Sequence, residues 1–161
     1  MCKNLKISLL VALLVSMAVA INAQTNAQLD AFAAFASNFS ESAAFAYTEV
    51  GNRQVMLVSH ETFGNNENSD LEAIATSIFV LDSKGKIVSL GSIRSQGTLY
   101  PVSVYNNKLM VAGHKFVKIY NIRGEQPELV LEEYEEGDDS TKLQALFDEF
   151  EKASSVKFYR Q

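Results

Sequence analysis

The chain has 161 residues, with 14 basic and 19 acidic side chains and a formal net charge of −5 at pH 7. An acidic surface disfavours nucleic acids and anionic membranes as partners. The only cysteine, Cys2, precedes every element predicted below, so disulfides, thiolate metal sites and a cysteine nucleophile are excluded from the folded part. Packing alone must stabilise the fold.

Residues 1–23 have the pattern of a cleavable secretory signal. Lys3 and Lys6 form a short basic start, and an apolar run follows from Ile7 to Ile21. Ala23 then supplies the small residue that precedes a cleavage site. This order of charge, apolar run and small residue predicts export from the cytoplasm.

The two alternatives to a cleaved signal are anchors. A bilayer span needs roughly 20 apolar residues, more than this run provides, and a lipid anchor needs a cysteine after the run, whereas Cys2 precedes it. We therefore predict a periplasmic or secreted protein with one α+β domain over residues 24–161. Removal of Lys3 and Lys6 leaves 12 of the 14 basic residues against 19 acidic ones, so this domain is more acidic than the full chain.

The first predicted element is a helix that starts near Asn26, a residue type that caps helices. Five apolar residues follow at the spacing of one helix face. They are Leu29, Phe32, Ala33, Phe35 and Ala36. This stripe predicts a helix that packs against the core.

From Ala43 to Tyr134 the sequence predicts an antiparallel meander of about eight strands. Turn signals separate four pairs of strand-like segments, and connections this short force antiparallel neighbours. The pairs are Phe45–Glu49 with Gln54–Ser59, Ser77–Leu81 with Lys86–Leu90, Tyr100–Tyr105 with Lys108–Ala112, and Phe116–Ile122 with Glu128–Glu133. In the second pair, Asp82 suits the start of a type I turn and Gly85 suits its positive φ.

An internal echo divides the meander into two units. Val55–His60 resembles Leu109–His114, and Phe79–Gly85 resembles Lys118–Gly124. The first unit is longer, and the polar segment Gly64–Leu71 is the candidate insertion. Two four-stranded units resemble propeller blades, but two cannot close a ring of the usual four to eight. We therefore predict a single curved sheet or a barrel.

A second amphipathic helix is predicted near the end of the chain. Thr141 and Gln144 fit a capping box, and Leu143, Leu146, Phe147 and Phe150 form a stripe toward the core. Val156, Phe158 and Tyr159 close the chain as a short strand or packed tail. The predicted strand core comprises Val55, Leu57, Ile78, Val80, Ile87, Val102, Val104, Val111 and Ile119.

Three segments resemble exported proteins, many from gut bacteria, that carry a D-x-D-x-D-G loop in a β-meander domain. The segments are Phe45–Ser59 at the loop, Ile78–Gly91 at the next hairpin and Leu143–Tyr159 at the closing helix and tail. In those proteins the loop looks like a calcium site, since carboxylates at alternate positions turn oxygens toward one hard cation. The resemblance implies no established activity.

The loop of this chain departs from that pattern. Thr48, Val50 and Asn52 occupy the three acidic positions, Arg53 occupies the glycine position, and Met56 replaces the following acid. Val50 has no ligand atom and Arg53 brings a positive charge. We therefore predict no calcium binding at this loop.

The candidate chemical groups do not form a recognisable site. His60 and His114 end echoing strands, but no motif around them or Glu61 supplies the three or four convergent ligands of zinc. Ser59 and His60 face opposite sides of a strand and cannot act as nucleophile and base. We predict no catalytic, cofactor or metal residues, and a chain that is not an enzyme.

The acidic run Glu132–Asp139 has two interpretations. It can collect cations, but a tight calcium site needs a fixed oxygen cage and the run lacks such spacing. We interpret it as a solvated linker in which Asp138 and Asp139 face the positive end of the next helix dipole.

Three hypotheses for the function of the protein remain open. Tyr100, Tyr105 and Tyr120, with Lys108, Lys115 and Lys118 nearby, either bind a ligand on an exposed sheet face or protect the sheet from edge pairing. The leading hypothesis is an exported, non-catalytic module that binds a protein, peptide or glycan. The alternatives are an enzyme or metal protein, in which a histidine meets two or more carboxylates in a concave pocket, and a structural subunit that assembles through a sheet edge.

Overall fold

The computed structural model describes residues 26–64, 70–138 and 140–160. The predicted signal, residues 1–23, and its cleavage site lie outside the described residues and stay predictions. The chain divides into two compact units, one ending at Ser37 and one starting at Asn38.

The described part of the first unit is a helix, α1, over residues 26–36. Its predicted apolar stripe is confirmed at Phe32 and Ala36, which are buried, whereas Ala33 is exposed. Asn26 is already helical, so it is not seen as the cap.

The second unit contains two five-stranded sheets, a two-stranded ribbon and one helix among its described residues. The strands are β1 (Ala44–Val50), β2 (Arg53–Ser59), β3 (Thr62–Phe63), β4 (Glu72–Ala73), β5 (Ala75–Leu81), β6 (Ile87–Arg94), β7 (Ser103–Tyr105), β8 (Lys108–Gly113), β9 (Phe116–Arg123), β10 (Glu128–Glu136), β11 (Ser154–Ser155) and β12 (Tyr159–Arg160), and the helix is α2 (Thr141–Lys152).

The two sheets repeat one arrangement. The first has the order β12-β1-β2-β5-β6 and the second the order β10-β9-β8-β7-β11, with antiparallel pairing throughout. Each is a four-stranded meander with one short strand added beside its first strand. The echoing segments lie on β2 and β8 and around β5 and β9. The predicted insertion Gly64–Leu71 lies between the paired strands β3 and β4, and its residues 65–69 lie outside the described residues. All four predicted hairpins are confirmed.

The prediction of about eight strands in one curved sheet or a barrel is wrong. The described residues form about twelve strands in separate sheets, with no closed barrel. The four additional strands, β3, β4, β11 and β12, have two residues each. A two-residue strand carries no readable periodicity, and only its pairing with a distant segment defines it.

The main core lies between the two sheets. Alternate residues of β2 and β5, including Leu57 and Ile78, pack with Leu109 and Val111 of β8. A second core lies on the outer face of the second sheet, where α2 contributes its buried leucines. The predicted core positions are buried except Ile87, on the edge strand β6, and Val104, which are half-buried.

The capping residue of α2 is Ser140, and the prediction of Thr141 is wrong by one position. The Ser140 hydroxyl accepts a hydrogen bond from the Leu143 N–H at 2.9 Å. The predicted stripe is confirmed at Leu143 and Leu146, which are buried against β9 and its neighbours, whereas Phe147 and Phe150 are half-buried.

The predicted turn after β5 is confirmed in detail. The Asp82 side chain accepts hydrogen bonds from the N–H groups of Lys84 and Lys86, at 2.8 and 2.9 Å. The Gly85 N–H donates to the Asp82 carbonyl at 3.0 Å, and Gly85 has a φ of 74°. These bonds pin the β5–β6 register through the turn itself.

Residues 154–160, the C-terminal segment, join the two sheets. β11 pairs with β7 of the second sheet and β12 pairs with β1 of the first. Between them, Phe158 exchanges two backbone hydrogen bonds with Leu71, at 2.7 and 3.0 Å. The predicted strand or packed tail is therefore confirmed, with Val156 and Phe158 buried.

Candidate functional site

His60 and His114 line different cavities. His60 is exposed after β2 and lines a small cavity of about 200 Å³ with Glu61 and Arg94. A hydrogen bond from Arg94 lowers the pKa of Glu61 and keeps that carboxylate paired. Ser59 is buried and its hydroxyl accepts the Glu61 N–H at 3.0 Å, so Ser59 and His60 do point apart.

The interpretation of the acidic run as a linker is wrong for its first five residues, which belong to β10. Three of the run's carboxylates form ion pairs at separate places. The pairs are Glu132 with Lys108 and Arg123, Glu135 with Lys142, and Asp138 with Lys115. Each of these carboxylates pairs with basic residues of its own, so the three do not surround one shared cation. Asp139 lies outside the described residues.

Glu132 is the most strongly held of these carboxylates. It is the extra residue of a β-bulge where the β9–β10 ladder shifts register, and its side chain is 8% exposed. Hydrogen bonds from Lys108 and Asn121, and then from Arg123, lower its pKa to about 2, although burial acts in the opposite direction. The bulge therefore places the Glu132 carboxylate, which is charged at neutral pH, among hydrogen-bond donors.

We expect Glu132→Gln to lower the free energy of unfolding at pH 7 by about 2 kcal/mol, because charge-assisted hydrogen bonds are lost. The folded pKa lies below the ordinary 4.5, so this stabilisation is full above about pH 5 and declines as the pH falls toward 2. Urea unfolding across that range should show a smaller decline for Glu132→Gln than for the parent chain. Glu125→Gln, in the exposed β9–β10 turn, is the control, and an equal effect there would contradict the assignment.

The three candidate tyrosines do not share a face. Tyr100, in the loop before β7, and Tyr105 pack with the α2 core, whereas Tyr120 packs with the core between the sheets. The Lys118 ammonium lies over the rings of Phe116 and Tyr134, at 5.2 and 5.0 Å from their centroids. The predicted tyrosine and lysine patch is therefore not assembled.

A different surface is the best candidate for binding, a groove of about 620 Å³ between α2, the loop before β7 and the C-terminal segment. We call it the α2 groove. Its walls come from elements far apart in the sequence. They are lined by Glu72, Leu99, Tyr100, Pro101, Ser103, His114, Gln144, Phe147, Phe150, Glu151, Ala153 and Ser155. Its volume is within the range of small-molecule sites.

The loop over residues 95–102 forms one wall and is fixed at both ends. The Gln96 N–H donates to the Ala112 carbonyl, and the Val102 N–H donates to the Ala73 carbonyl, each at 2.8 Å. Backbone hydrogen bonds therefore hold the loop in place on both sides of Leu99 and Tyr100. The wall is preformed.

The opposite wall is a stripe of α2. Gln144, Phe147 and Glu151 are spaced by three and four residues and line the groove, whereas Leu143 and Leu146 face the sheet. The helix thus has two adjacent stripes, one for the core and one for the groove.

Tyr100 connects the two walls. Its ring contacts Phe147 and Phe150, with centroids 6.3 and 6.2 Å apart, and meets His114 edge-on at 5.5 Å. Its hydroxyl lies 3.3 Å from Nδ1 of His114. Leu99 beside it is 77% exposed, the highest exposure among the large apolar side chains of the described residues, and it lines the groove next to the three rings.

Polar groups lie around the rings of Tyr100, Phe147 and Phe150. Burial raises the pKa of Glu72, but hydrogen bonds from Lys157 and Ser155 outweigh it, so the net shift is downward. Both of those bonds measure 2.6 Å. Glu151 is exposed in the last turn of α2, and His114 is exposed at the other wall. None of the described residues lining the groove is lysine or arginine.

Few features of the α2 groove support metal binding. His114, Glu72 and Glu151 line the same groove, but across residues 26–64, 70–138 and 140–160 no three His, Cys, Asp or Glu side chains are grouped to hold an ion. The segment between β1 and β2, for which no calcium binding is predicted, is a tight hairpin turn at Gly51, and Val50 is fully buried.

Sequence reasoning missed the α2 groove for an identifiable reason. Helical spacing places Phe147 and Phe150 in the core stripe, and they do pack against the second core, but they are half-buried and also line the groove. The available signal was the apolar pair Leu99 and Tyr100 between Gly97 and a proline, since a loop bounded in this way seldom carries large apolar residues without a use.

Comparisons of the chain with protein-family models, curated proteins and solved structures find no match. Neither helix in the described residues combines the length and the hydrophobicity that a transmembrane span requires.

Proposed function

We propose that the protein is a non-catalytic binding module and that the α2 groove holds its ligand. The observation that carries this proposal is the exposed Leu99 beside the ring cluster of Tyr100, Phe147 and Phe150, in a groove with a preformed loop wall. A concave surface that combines aromatic side chains with fixed polar groups can hold a small molecule.

Binding is favoured over catalysis by the state of the polar groups. Glu72 is already paired with Lys157 and Ser155, and the partner of His114 is a tyrosine hydroxyl rather than a carboxylate. The Ser155 hydroxyl does lie 2.6 Å from the Glu72 carboxylate, but the Lys157 ammonium bonds to the same oxygen. Burial raises the pKa of Glu72 and these bonds lower it further than burial raises it, so Glu72 is a weak general base.

The proposal includes export. The signal pattern of residues 1–23 and the resemblance to exported gut-bacterial proteins both support a site of action in the periplasm or outside the cell. The two meanders resemble a pair of propeller blades, and in this proposal they form the rigid support on which the groove is built.

Thermal melting tests the proposal. The full chain is heated with small aromatic compounds that carry a cationic, anionic or neutral polar group, and a compound that binds only the folded state raises the midpoint. Leu99→Ala should leave the unliganded midpoint unchanged, because its side chain is exposed, and reduce the ligand-induced rise.

The matched control is Leu131→Ala, which removes an exposed leucine of β10 outside the groove. It should preserve the rise. If no compound raises the midpoint, or if both variants respond alike, the groove is not the binding site.

A metal or enzymatic role is the second candidate, because His114 shares the groove with Glu72 and Glu151. Zinc or calcium added to the same melting experiment should then raise the midpoint, and His114→Ala should abolish the rise. We expect no rise, since three ligands do not converge at this place in the described chain.

A further inference from the structure

We infer that the α2 groove selects a small organic cation, an ammonium group carried on an apolar body. This inference rests on the proposed function and specifies the chemistry of its ligand. The juxtaposition behind it is a cluster of three aromatic rings beside carboxylates, with no lysine or arginine among the described lining residues.

Charge complementarity is the first argument. Glu72 and Glu151 are the carboxylates that line the groove, and Lys157 pairs with Glu72, so the uncompensated negative charge among the described lining residues is that of Glu151. The chain as a whole carries a formal charge of −5. An anionic ligand would have to enter against this field, whereas an ammonium group is drawn toward it.

Glu151 is the carboxylate available to a ligand. Glu72 is held by Lys157 and Ser155 at 2.6 Å each, and these bonds leave it less able to take a new cation. Glu151 extends from the last turn of α2, one helical turn beyond Phe147 on the same stripe. A cation near Glu151 is also at the C-terminal end of the helix, where the dipole favours positive charge.

The aromatic rings are the second argument. Phe147 and Phe150 are tilted against Tyr100 by 47° and 55°, and all three side chains line the groove. Ring faces attract cations through their quadrupole. The same rings and Leu99 bury the apolar body of the ligand.

The size of the groove selects a small molecule over a peptide. Its volume of about 620 Å³ matches compounds of drug size. A cationic aryl-alkyl compound can place its ring on the Tyr100 cluster and its ammonium near Glu151.

Calorimetric titration of the full chain with three matched probes tests this inference. The probes are phenylbutylamine, phenylbutanol and phenylbutyrate, which share a body and differ in charge. We expect the amine to bind about tenfold more tightly than the alcohol, and the carboxylate to bind least. Glu151→Gln should weaken amine binding about fivefold and leave alcohol binding unchanged. Glu125→Gln, which removes the same charge outside the groove, should weaken neither.

The outcomes separate the inference from the proposed function. If the alcohol or the carboxylate binds as tightly as the amine, and Leu99→Ala weakens all three, the groove binds ligands without selecting cations and only the inference fails. If no probe binds, both fail. A capped lysine tripeptide that binds more tightly than the amine would also overturn the inference, because the occupant would then be a peptide.

Discussion

Replacement of Phe158 by alanine is expected to cost about 4 kcal/mol of folding free energy. Phe158 is fully buried in the core between the sheets and exchanges two backbone hydrogen bonds with Leu71. Its ring lies in the segment that joins both sheets, so the cavity forms where that segment is anchored. Domains are typically stable by 5–15 kcal/mol, so the loss is a large share of the total.

Tyr159→Ala is the matched control, an aromatic truncation at the next residue of the same segment. Tyr159 is 49% exposed, and its loss should cost less than about 1 kcal/mol. Urea unfolding, followed by circular dichroism, measures both. Because Phe158→Ala can fall below the folding threshold, Phe158→Leu gives a second value, expected near 1.5 kcal/mol. Equal losses at the two positions would show that the segment does not anchor the sheets.

Replacement of Gly51 by alanine is expected to cost about 3 kcal/mol, from two separable causes. Gly51 has a φ of 64°, which L-residues adopt at a cost of about 1 kcal/mol. An added Cβ would also lie 2.8 Å from the Asn121 side-chain oxygen and 3.1 Å from the Ile122 carbonyl. Overpacking of this kind adds about 2 kcal/mol.

Gly51 lies close to Asn121 and Ile122 because turns from both sheets meet there. The Gly51 N–H donates to the Asn107 carbonyl at 2.6 Å, and the Asn107 side chain donates to the Gly51 carbonyl at 3.3 Å. The Arg53 guanidinium donates to the Gly124 carbonyl at 2.6 Å. The β1–β2 turn therefore docks on the turns of the second sheet.

Gly85→Ala isolates the conformational cause. Gly85 has a φ of 74°, and an added Cβ there meets nothing within 4 Å. Its substitution should cost only about 1 kcal/mol, so the difference between the two variants measures the docking of the β1–β2 turn. Unfolding midpoints with unchanged denaturant slopes check this. A difference below about 0.5 kcal/mol would mean that the turns do not pack as described.

The α2 groove shows why a candidate site can be missed when only the sequence is considered. Phe147 and Phe150 fit the helical stripe as well as Leu143 and Leu146 do, because periodicity records the spacing of apolar residues and not what covers them. Only the position of the 95–102 loop decides that the phenylalanines border open space. That position depends on hydrogen bonds to Ala112 and Ala73, neither of which the local pattern indicates.

The acidic run shows a related limit. Six acidic residues in eight are typical of a solvated linker, yet Glu132–Glu136 complete β10. The strand forms because β9 supplies a partner backbone and because basic residues such as Lys108 and Arg123 compensate the charge. Composition is a property of the segment alone, whereas strand pairing is a property of two segments.

The sequence by itself determined the eight longer strands, their antiparallel hairpins and the amphipathic α2 helix. Alternation, turn chemistry at Gly51 and Gly85, and helical spacing are all local, so each segment carries its own signal. The tertiary structure alone decided that the meander divides into two sheets, that the C-terminal segment joins them through Phe158, and that a groove opens beside α2. These features depend on contacts between residues far apart in the chain, whose free energy no local pattern contains.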